Sequence, residues 1–176
     1  MNPKIKKIKM IISDIDGVWT DGSFYKGTYG QEFKKFNVND GVGVAMAKAA
    51  GFKIALISGR YSSATEYRAK ELNIEDVYNG GLNKITAYEE LKIKYNLIDS
   101  EIAYVGDDLI DIPVMEKVGV PIAVANAIMN VKEISIYITK TAGGYGAFRE
   151  SVSWIIEQQG RMDDILKTMK EHILKS

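Results

Sequence analysis

The chain has 176 residues, enough for one domain with a hydrophobic core and little left for a second. Lys plus Arg and Asp plus Glu both number 23, and this formal net charge of zero provides no overall attraction to nucleic acid or to an anionic membrane. The sequence has no cysteine and a single histidine, His172, which argues against disulfides, thiolate chemistry and a His-rich metal site and leaves carboxylates, lysines, arginines and hydroxyls for any catalysis.

Short apolar runs alternate with helical stretches along the chain. Strands are predicted at residues 10–15, 53–57, 102–105 and 121–125, with a short fifth at 136–138. Helices are predicted between them, at residues 42–50, 62–72, 84–95 and 109–118. This alternation indicates crossover units and a parallel sheet. Apolar strands without strict alternation fit a sheet that helices cover on both faces, so the fold class is α/β.

Two segments lie outside the alternation. Residues 23–38 are predicted to form a β-hairpin around the connection Gly-Thr-Tyr-Gly at 27–30, and we interpret it as an insertion after the first strand. The tail, about 143–176, is predicted to be helical from Gly146 onward, with a break at Gly160. We expect a single domain over residues 1–176. The sequence shows no span for a bilayer and no signal peptide, so we expect a cytoplasmic protein without a membrane partner.

Polar side chains follow successive strands of the predicted sheet, at the edge where ligands bind in open parallel sheets. These are Asp14 and Asp16 at the end of the first strand, Ser58 and Arg60 at the end of the second, Asp107, Asp108 and Asp111 after the third, and Lys84 at the start of a helix. Because carboxylates at one edge repel each other, they require a cation, and oxygen ligands favour Mg²⁺ over Zn²⁺.

The same residues suit phosphoryl transfer. One carboxylate can attack phosphorus to form an acyl phosphate. A second carboxylate two residues along can protonate the leaving oxygen and then deprotonate water. A serine hydroxyl and a lysine can hold the non-bridging phosphoryl oxygens. The set therefore predicts a magnesium-dependent phosphatase.

Each segment taken alone also has an ordinary structural interpretation. The Asp-x-Asp-Gly run at 14–17 is a common turn sequence, and Ser58 is a typical helix cap. Lys84 alone would be a solvated lysine, and the Gly-Asp-Asp run at 106–108 a turn with a cap. Their order at successive strand ends and helix starts is what favours a catalytic site.

On these residues the sequence resembles the haloacid dehalogenase superfamily. The run at 14–20 matches its motif D-x-D-G-x-x-T, and Ser58, Lys84 and the run Gly-Asp-Asp-Leu-Ile-Asp at 106–111 match its other three motifs. The resemblance implies a Rossmann-like three-layer α/β/α core, with Asp14 as nucleophile and Asp16 as general acid/base. It implies Mg²⁺ held by Asp14, the backbone carbonyl of Asp16 and Asp107, with Asp108 and Asp111 just outside the metal ligands. An acidic residue at position 16 favours a phosphatase over a dehalogenase.

The resemblance extends to the branch that includes 3-deoxy-D-manno-octulosonate 8-phosphate phosphatase. The residues that carry it are Asp21-Gly22, the hairpin, the run Phe-Asn-Val-Asn-Asp-Gly at 36–41 and the tail run Gly-Gly-Tyr-Gly-Ala-Phe-Arg-Glu at 143–150. It implies an acidic sugar phosphate as substrate and a role in lipopolysaccharide biosynthesis. It also implies a homotetramer in which the hairpins associate and a neighbouring subunit helps to close each active site. Asp40 and Gly41, within the 36–41 run, are taken as substrate-binding residues.

Three arginines are candidates for the substrate's carboxylate. Arg60 and Arg68 are eight residues apart, about two helical turns, so both can face the same way and bind a carboxylate bidentately. Solvated surface arginines are the alternative. Arg149 is expected to serve a neighbour's binding site, and the alternative is a cap or pair within its own tail helix.

The choice of sugar depends on two positions. Relatives acting on 2-keto-3-deoxynonulosonate (or N-acylneuraminate) 9-phosphate resemble this chain closely but tend to carry Glu in the segment that contains Arg60, so Arg60 favours the octulosonate phosphate. Trp19 favours the nonulosonate, unless it is a packing residue beside the site. A non-enzymatic alternative is an assembly module of a sugar-nucleotide synthesis system, against which the complete set Asp14, Asp16, Lys84 and Asp107 argues.

Overall fold

The structure, a computed structural model, describes residues 3–174 apart from the side chain of His172. Its strands are β1 (Met10–Ser13), β2 (Tyr25–Lys26), β3 (Glu32–Phe33), β4 (Lys53–Ser58), β5 (Asp76–Asn79), β6 (Ile102–Gly106), β7 (Val120–Ala123) and β8 (Tyr137–Ile138). Six of them form a sheet in the order β5-β4-β1-β6-β7-β8, and all its neighbouring strands are parallel. The antiparallel pair β2-β3 forms the separate hairpin.

Helices cover both faces of this sheet. They are α1 (Val38–Ala49), α2 (Ser63–Glu71), α3 (Lys84–Tyr95), α4 (Ile112–Met115), α5 (Met129–Ile134), α6 (Ala147–Gln158) and α7 (Met162–Ile173). Crossovers between parallel strands are right-handed, and the chain moves along the sheet in one direction from β1 to β5 and in the other from β5 to β8. Helices α1 and α2 therefore lie on one face, and α3, α4 and α5 on the other. The tail helices α6 and α7 pack against α1. The predicted α/β/α fold, with its hairpin and helical tail, is confirmed.

The central strand β1 places the candidate site. All four of its residues are buried, and Ser13 lies level with Leu56 of β4 and Val105 of β6. The chain leaves β1 towards β4 on one side, whereas β6 lies on the other side. The carboxyl end of β1 is therefore the point where the strand order reverses, and a crevice opens at such points in α/β sheets.

Trp19 joins this edge to the tail. Its ring is 1% exposed and lies 4.5 Å from the ring of Phe148 in α6. Its indole N–H donates to Ser13 Oγ at 3.0 Å, and that hydroxyl donates to the carbonyl oxygen of Asp14 at 2.7 Å. The structure thus confirms that Trp19 is a packing residue beside the site.

Several predicted bounds were wrong for local reasons. Strand β5 and helix α5 were not predicted. Strand β5 has polar residues at both ends, Asp76 and Asn79, and α5 has six residues, too few to show a helical period. Helix α1 begins at Val38, four residues before the prediction, because the Asn37 side chain caps it by accepting from the N–H of Asn39. The helix predicted at 109–118 is a 3₁₀ turn (Leu109–Asp111) followed by the four residues of α4.

The helical tail breaks where the sequence predicts. Gly160 separates α6 from α7 with a φ of +71°, a left-handed conformation that suits glycine. No helix within residues 3–174 has both the length and the apolar character needed to cross a membrane. The single domain over residues 1–176 stays a prediction.

Candidate active site

The candidate nucleophile and the candidate lysine form a buried ion pair. Asp14 follows β1 and is 3% exposed, and Lys84 begins α3 and is 2% exposed. Lys84 Nζ lies 2.7 Å from Asp14 Oδ1 and 2.7 Å from Asp111 Oδ1. Burial alone lowers the pKa of Lys84, but the two carboxylates outweigh burial and raise it above its usual value. The ammonium group therefore stays charged beside the carboxylate that it orients.

Asp111 fixes the direction of Lys84. Its Oδ1 also accepts from the hydroxyl of Tyr104 at 2.6 Å. Its Oδ2 accepts from the backbone N–H groups of Asp107 at 2.9 Å and Asp108 at 3.2 Å. Both oxygens of this fully buried carboxylate are thus occupied by donors of the chain, and its role is to position Lys84 and the loop after β6.

Asp107 has an oxygen without a partner. Its Oδ1 is buried and makes no hydrogen bond within the described part of the chain. Burial, followed by the charges of Asp14 and Asp111, raises the pKa of Asp107 to about 8. Burial and the charge of Asp111 likewise raise the pKa of Asp14 to about 7, although Lys84 opposes the shift. Two neighbouring carboxylates that resist ionisation indicate a position where a cation is favourable.

The donor set fits a hard divalent cation. Carboxylate oxygens of Asp14, Asp107 and Asp111 lie within 4.8 Å of one another. Since donors of the chain occupy Asp111, the available carboxylates are those of Asp14 and Asp107. An all-oxygen site suits Mg²⁺. The predicted Mg²⁺ cofactor is therefore supported, and Gly17 leaves the room, because a Cβ there would lie 1.9 Å from Asp107 Oδ2.

Asp16 faces a different lysine from that of Asp14. Its Oδ1 lies 2.6 Å from Nζ of Lys34, the residue after β3 of the hairpin. The Lys34 side chain is fully buried, and that of Asp16 is 29% exposed. Strand β1 ends at Ser13, two residues before its predicted end, and Asp16 lies in the turn that follows.

Ser58 and Arg60 lie at the end of β4. Ser58 is 1% exposed, and its hydroxyl donates to the carbonyl oxygen of Arg60 at 2.9 Å. The guanidinium of Arg60 binds both carboxylate oxygens of Glu32 in β3 and lies 4.2 Å from the ring centre of Phe24. Within one chain, the charge of Arg60 is therefore directed to the hairpin.

Arg68 lies in α2 with a largely buried guanidinium. Its Nη1 donates to Glu71 at 2.7 Å and its Nη2 to the carbonyl oxygen of Asn37 at 3.5 Å. Its Nε is buried without a hydrogen-bond partner among residues 3–174. The sequence predicted that helical spacing would place the guanidinium groups of Arg60 and Arg68 on one face. Arg60 instead precedes Ser63, the first residue of α2, so helical spacing does not relate the two side chains.

The remaining predicted substrate residues join α1 to its neighbours. Asp40 is fully buried and accepts from the N–H of Arg149 at 3.1 Å, at the start of α6. Gly41 leaves space for Arg68, whose Nη2 would lie 3.2 Å from a Cβ there. The Arg149 guanidinium donates to Asn39 of its own chain at 3.1 Å. Asp108 is exposed and caps the following turn through the N–H of Leu109. Direct contact of these residues with substrate or metal stays a prediction.

The sequence interpretation missed Asn126. Its side chain donates to the carbonyl oxygen of Gly17 at 3.1 Å and accepts from the N–H of Gly143 at 2.6 Å. Gly143 must lack a side chain, because a Cβ there would lie 1.7 Å from that Gly17 oxygen. The tail run therefore supports the first motif of its own chain. Asn126 follows the fourth predicted strand, and applying the strand-end rule there would have found it.

A parallel α/β sheet with Asp14, Lys84 and Asp107 at its central carboxyl edge defines a hydrolase of the haloacid dehalogenase type. Residues 71–147 match the model of the haloacid dehalogenase-like hydrolases. The chain is 42% identical over 161 residues to the 3-deoxy-D-manno-octulosonate 8-phosphate phosphatase KdsC of Escherichia coli strain K12, covering 92% of this chain and 86% of that relative. It therefore belongs to the KdsC family of phosphatases within the haloacid dehalogenase superfamily.

Solved structures agree with this assignment. The 3-deoxy-D-manno-octulosonate 8-phosphate phosphatase of Yersinia pestis matches with a TM-score of 0.88 and 39% identity, covering 91% of this chain and 86% of that one. The enzyme of the same name from Moraxella catarrhalis, solved with magnesium, phosphate and KDO, matches with a TM-score of 0.90 and 37% identity, covering 94% and 95%.

Proposed function

We propose that this protein hydrolyses 3-deoxy-D-manno-octulosonate 8-phosphate to the free sugar and inorganic phosphate. The observation that carries the proposal is the buried pair of Asp14 and Lys84, with the unpartnered Oδ1 of Asp107 beside it, in a chain 42% identical to an enzyme named for that reaction. The family assignment also favours catalysis over the alternative of an assembly module.

Asp14 is the proposed nucleophile. Lys84 occupies Oδ1 of Asp14, so Oδ2 is the atom left to attack phosphorus. The attack forms an aspartyl phosphate as the bond to the sugar oxygen breaks, and water then cleaves the acyl phosphate. Lys84 and the Ser58 hydroxyl are the groups of this chain that can hold the phosphoryl oxygens.

Asp16 is the proposed general acid and base. Its side chain is partly exposed and follows the nucleophile by two residues, on the side of the site that the hairpin covers. It protonates the departing sugar oxygen and later removes a proton from the attacking water. Separate lysines for Asp14 and Asp16 let one carboxylate stay fixed while the other exchanges a proton.

Asp14 and Asp107, with the backbone carbonyl of Asp16, would hold Mg²⁺. The fit rests on the unpartnered buried oxygen of Asp107 and on the closely spaced carboxylates. Bound Mg²⁺ supplies the positive charge that keeps these carboxylates ionised and neutralises charge on the phosphoryl group.

Arg68 is the best placed of the three arginines for the sugar's carboxylate. It lines a pocket of about 480 Å³ between the hairpin and α2, together with Lys34 and Tyr67. Its unpartnered Nε is a donor that a carboxylate can satisfy. Arg60 can also bind the sugar's carboxylate if that carboxylate replaces Glu32 as its partner. Asp40 would act by holding the start of α6, and Gly41 by leaving space for Arg68. Arg149 would reach the site of a neighbouring subunit after breaking its hydrogen bond to Asn39.

The nonulosonate 9-phosphate is the second candidate substrate. Trp19 was the residue that favoured it, but packing on Phe148 and the hydrogen bond to Ser13 account for a tryptophan there. The octulosonate phosphate is therefore the better supported of the two.

A cytoplasmic homotetramer is the proposed state of the enzyme. The hairpin exposes aromatic side chains that a neighbouring hairpin can cover, with exposures of 45% for Phe24, 58% for Tyr25, 90% for Tyr29 and 63% for Phe33. Light scattering should give four times the chain mass, and a stable monomer would contradict this state.

The function is tested by phosphate release with Mg²⁺ on both sugar phosphates side by side. We expect a higher kcat/KM for the octulosonate phosphate, loss of activity on chelation, and no turnover above background in Asp14→Asn. Asp163→Asn, the same change at an exposed position of α7, is the matched control and should retain full activity. Wild-type turnover by Asp14→Asn would refute the mechanism, and a higher kcat/KM for the nonulosonate phosphate would refute the substrate.

A further inference from the structure

The hairpin directs one row of side chains at the active site. Glu32 and Lys34 are two residues apart and point to the same side of the chain. Lys35 is the next residue, on the opposite side of the chain from Glu32 and Lys34. Its side chain is 49% exposed, whereas that of Lys34 is fully buried. A lysine with no exposed side-chain surface is uncommon without a specific partner.

The partner of Lys34 is Asp16. The Nζ–Oδ1 distance is 2.6 Å, and the same ammonium donates to the hydroxyl of Thr65 in α2 at 3.3 Å. Removing an ammonium group from water costs several kcal/mol unless an opposite charge and hydrogen bonds replace the solvent. The hairpin therefore carries its buried charge specifically to the carboxylate that follows the nucleophile by two residues.

We propose that Lys34 is a positioning residue for proton transfer, which holds Oδ1 of Asp16 so that Oδ2 is presented to the leaving sugar oxygen. The inference rests on the proposed function of Asp16. It makes the hairpin a part of the catalytic machinery of its own subunit, in addition to any contact that it makes with a neighbour.

A second ion pair fastens the same face of the hairpin. Glu32 binds Arg60 through both of its oxygens, at the end of β4. The two pairs have opposite polarity: the hairpin supplies the cation to Asp16 and the anion to Arg60. A hairpin shifted by two residues would oppose like charges at one point, either Glu32 to Asp16 or Lys34 to Arg60, and would leave the other pair broken. The pairs therefore select one docked position and with it one position of the Lys34 ammonium.

Positioning matters here because proton transfer needs hydrogen-bond geometry. General acid catalysis contributes about 10²–10⁴-fold, and a displacement of about 1 Å can cost about 10²-fold. The carboxylate of Asp16 is partly exposed, so without Lys34 it would be free to turn towards solvent. Lys34→Met removes the charge and keeps an unbranched side chain.

The test compares two leaving groups in the first turnover. A sugar alkoxide needs a proton to leave, whereas p-nitrophenolate leaves as a stable anion. For Lys34→Met we expect about a 10–100-fold slower first-turnover release of the sugar, with KM within about threefold of wild type. Release of p-nitrophenol from p-nitrophenyl phosphate should slow by less than about threefold, and Lys34→Arg should recover part of the loss.

Lys35→Met is the matched control, since it removes the next lysine, on the exposed side of the hairpin. It should behave as wild type with both substrates. Equal losses with both leaving groups in Lys34→Met would indicate a merely structural role and overturn the proposal. A raised KM with unchanged kcat would assign Lys34 to substrate binding and also overturn it.

Failure of the proposed function has a different result. A wild-type enzyme that releases p-nitrophenol but does not act on the octulosonate phosphate would refute the substrate alone. The comparison of leaving groups would then use whichever sugar phosphate the wild type hydrolyses. A melting curve for each variant shows whether it is folded. If Lys34→Met is not folded, the charge-conserving Lys34→Arg still allows the two leaving groups to be compared.

Discussion

Replacing Asp111 by asparagine tests the buried network that positions Lys84. The carboxylate accepts four hydrogen bonds, two on each oxygen. An asparagine can satisfy the donors on one side only, and its NH₂ group then faces two donors on the other side. The change also leaves Lys84 with Asp14 as its one remaining carboxylate partner in this network.

The expected loss of stability is large. Removing one partner of a buried ion pair costs about 3–5 kcal/mol. For a chain of this size, each kcal/mol lowers Tm by about 2–4 °C, so Tm should fall by about 6–20 °C. We also expect a lower kcat, because the ammonium that orients the nucleophile loses its own anchor.

Urea unfolding of the metal-free protein measures the first effect, and phosphate release measures the second. Asp108→Asn is the control for stability, since it makes the same chemical change at an exposed cap where asparagine is an equally good residue. It should change the free energy of unfolding by less than about 0.5 kcal/mol. If Asp111→Asn were within about 1 kcal/mol of wild type, the fourfold hydrogen bonding of Asp111 would be wrong.

Two further predictions concern the metal site. Gly17→Ala should weaken Mg²⁺ binding and lower the free energy of unfolding, measured with urea, by about 1–3 kcal/mol, because φ is +93° and the new Cβ would lie 1.9 Å from Asp107 Oδ2. Gly81→Ala is the control, since a Cβ there would have nothing within 4 Å, and it should change neither quantity. Equal effects of the two substitutions would contradict the close approach at Gly17. In metal-free protein, the raised pKa values of Asp14, about 7, and Asp107, about 8, mean that the folded state binds protons more tightly than the unfolded chain. Their stabilisation is complete below the usual carboxyl pKa of 3.8 and is lost as pH rises towards about 8. Chemical denaturation of the wild type should show a free energy of unfolding that falls as pH rises across this range. The fall should be smaller in the double variant Asp14→Asn/Asp107→Asn, and equal pH dependence in the two proteins would contradict the raised pKa values.

Much of the site could be predicted from local pattern. Apolar runs of strand length ended at Asp14, Ser58 and Asp107, and parallel strands bring their carboxyl ends to one edge. Lys84 was found because a helix begins there, and α3 matches its predicted bounds at both ends. These features depend on periodicity and chain order, which the sequence shows directly.

Other features depend on contacts between distant segments. Lys34 and Asp16 are separated by a hairpin whose strands have two residues each, too short for periodicity to show which side faces the core. The Glu32 partner of Arg60 was not predicted, because the docked hairpin supplies it. Asn126 and Gly143 meet only because the tail returns to the first motif.

The sequence by itself therefore determined the parallel α/β class, the catalytic edge of the sheet and the residue types that meet there, because the succession of strands and the spacing of motifs are properties of the chain. Only the tertiary structure decided which lysine serves which aspartate. Lys84 reaches Asp14 and Asp111, whereas Lys34 reaches Asp16. The physical reason is that an ion pair depends on the distance between two charges and on their exclusion from water, and both arise only when the hairpin, the helices and the sheet edge pack together.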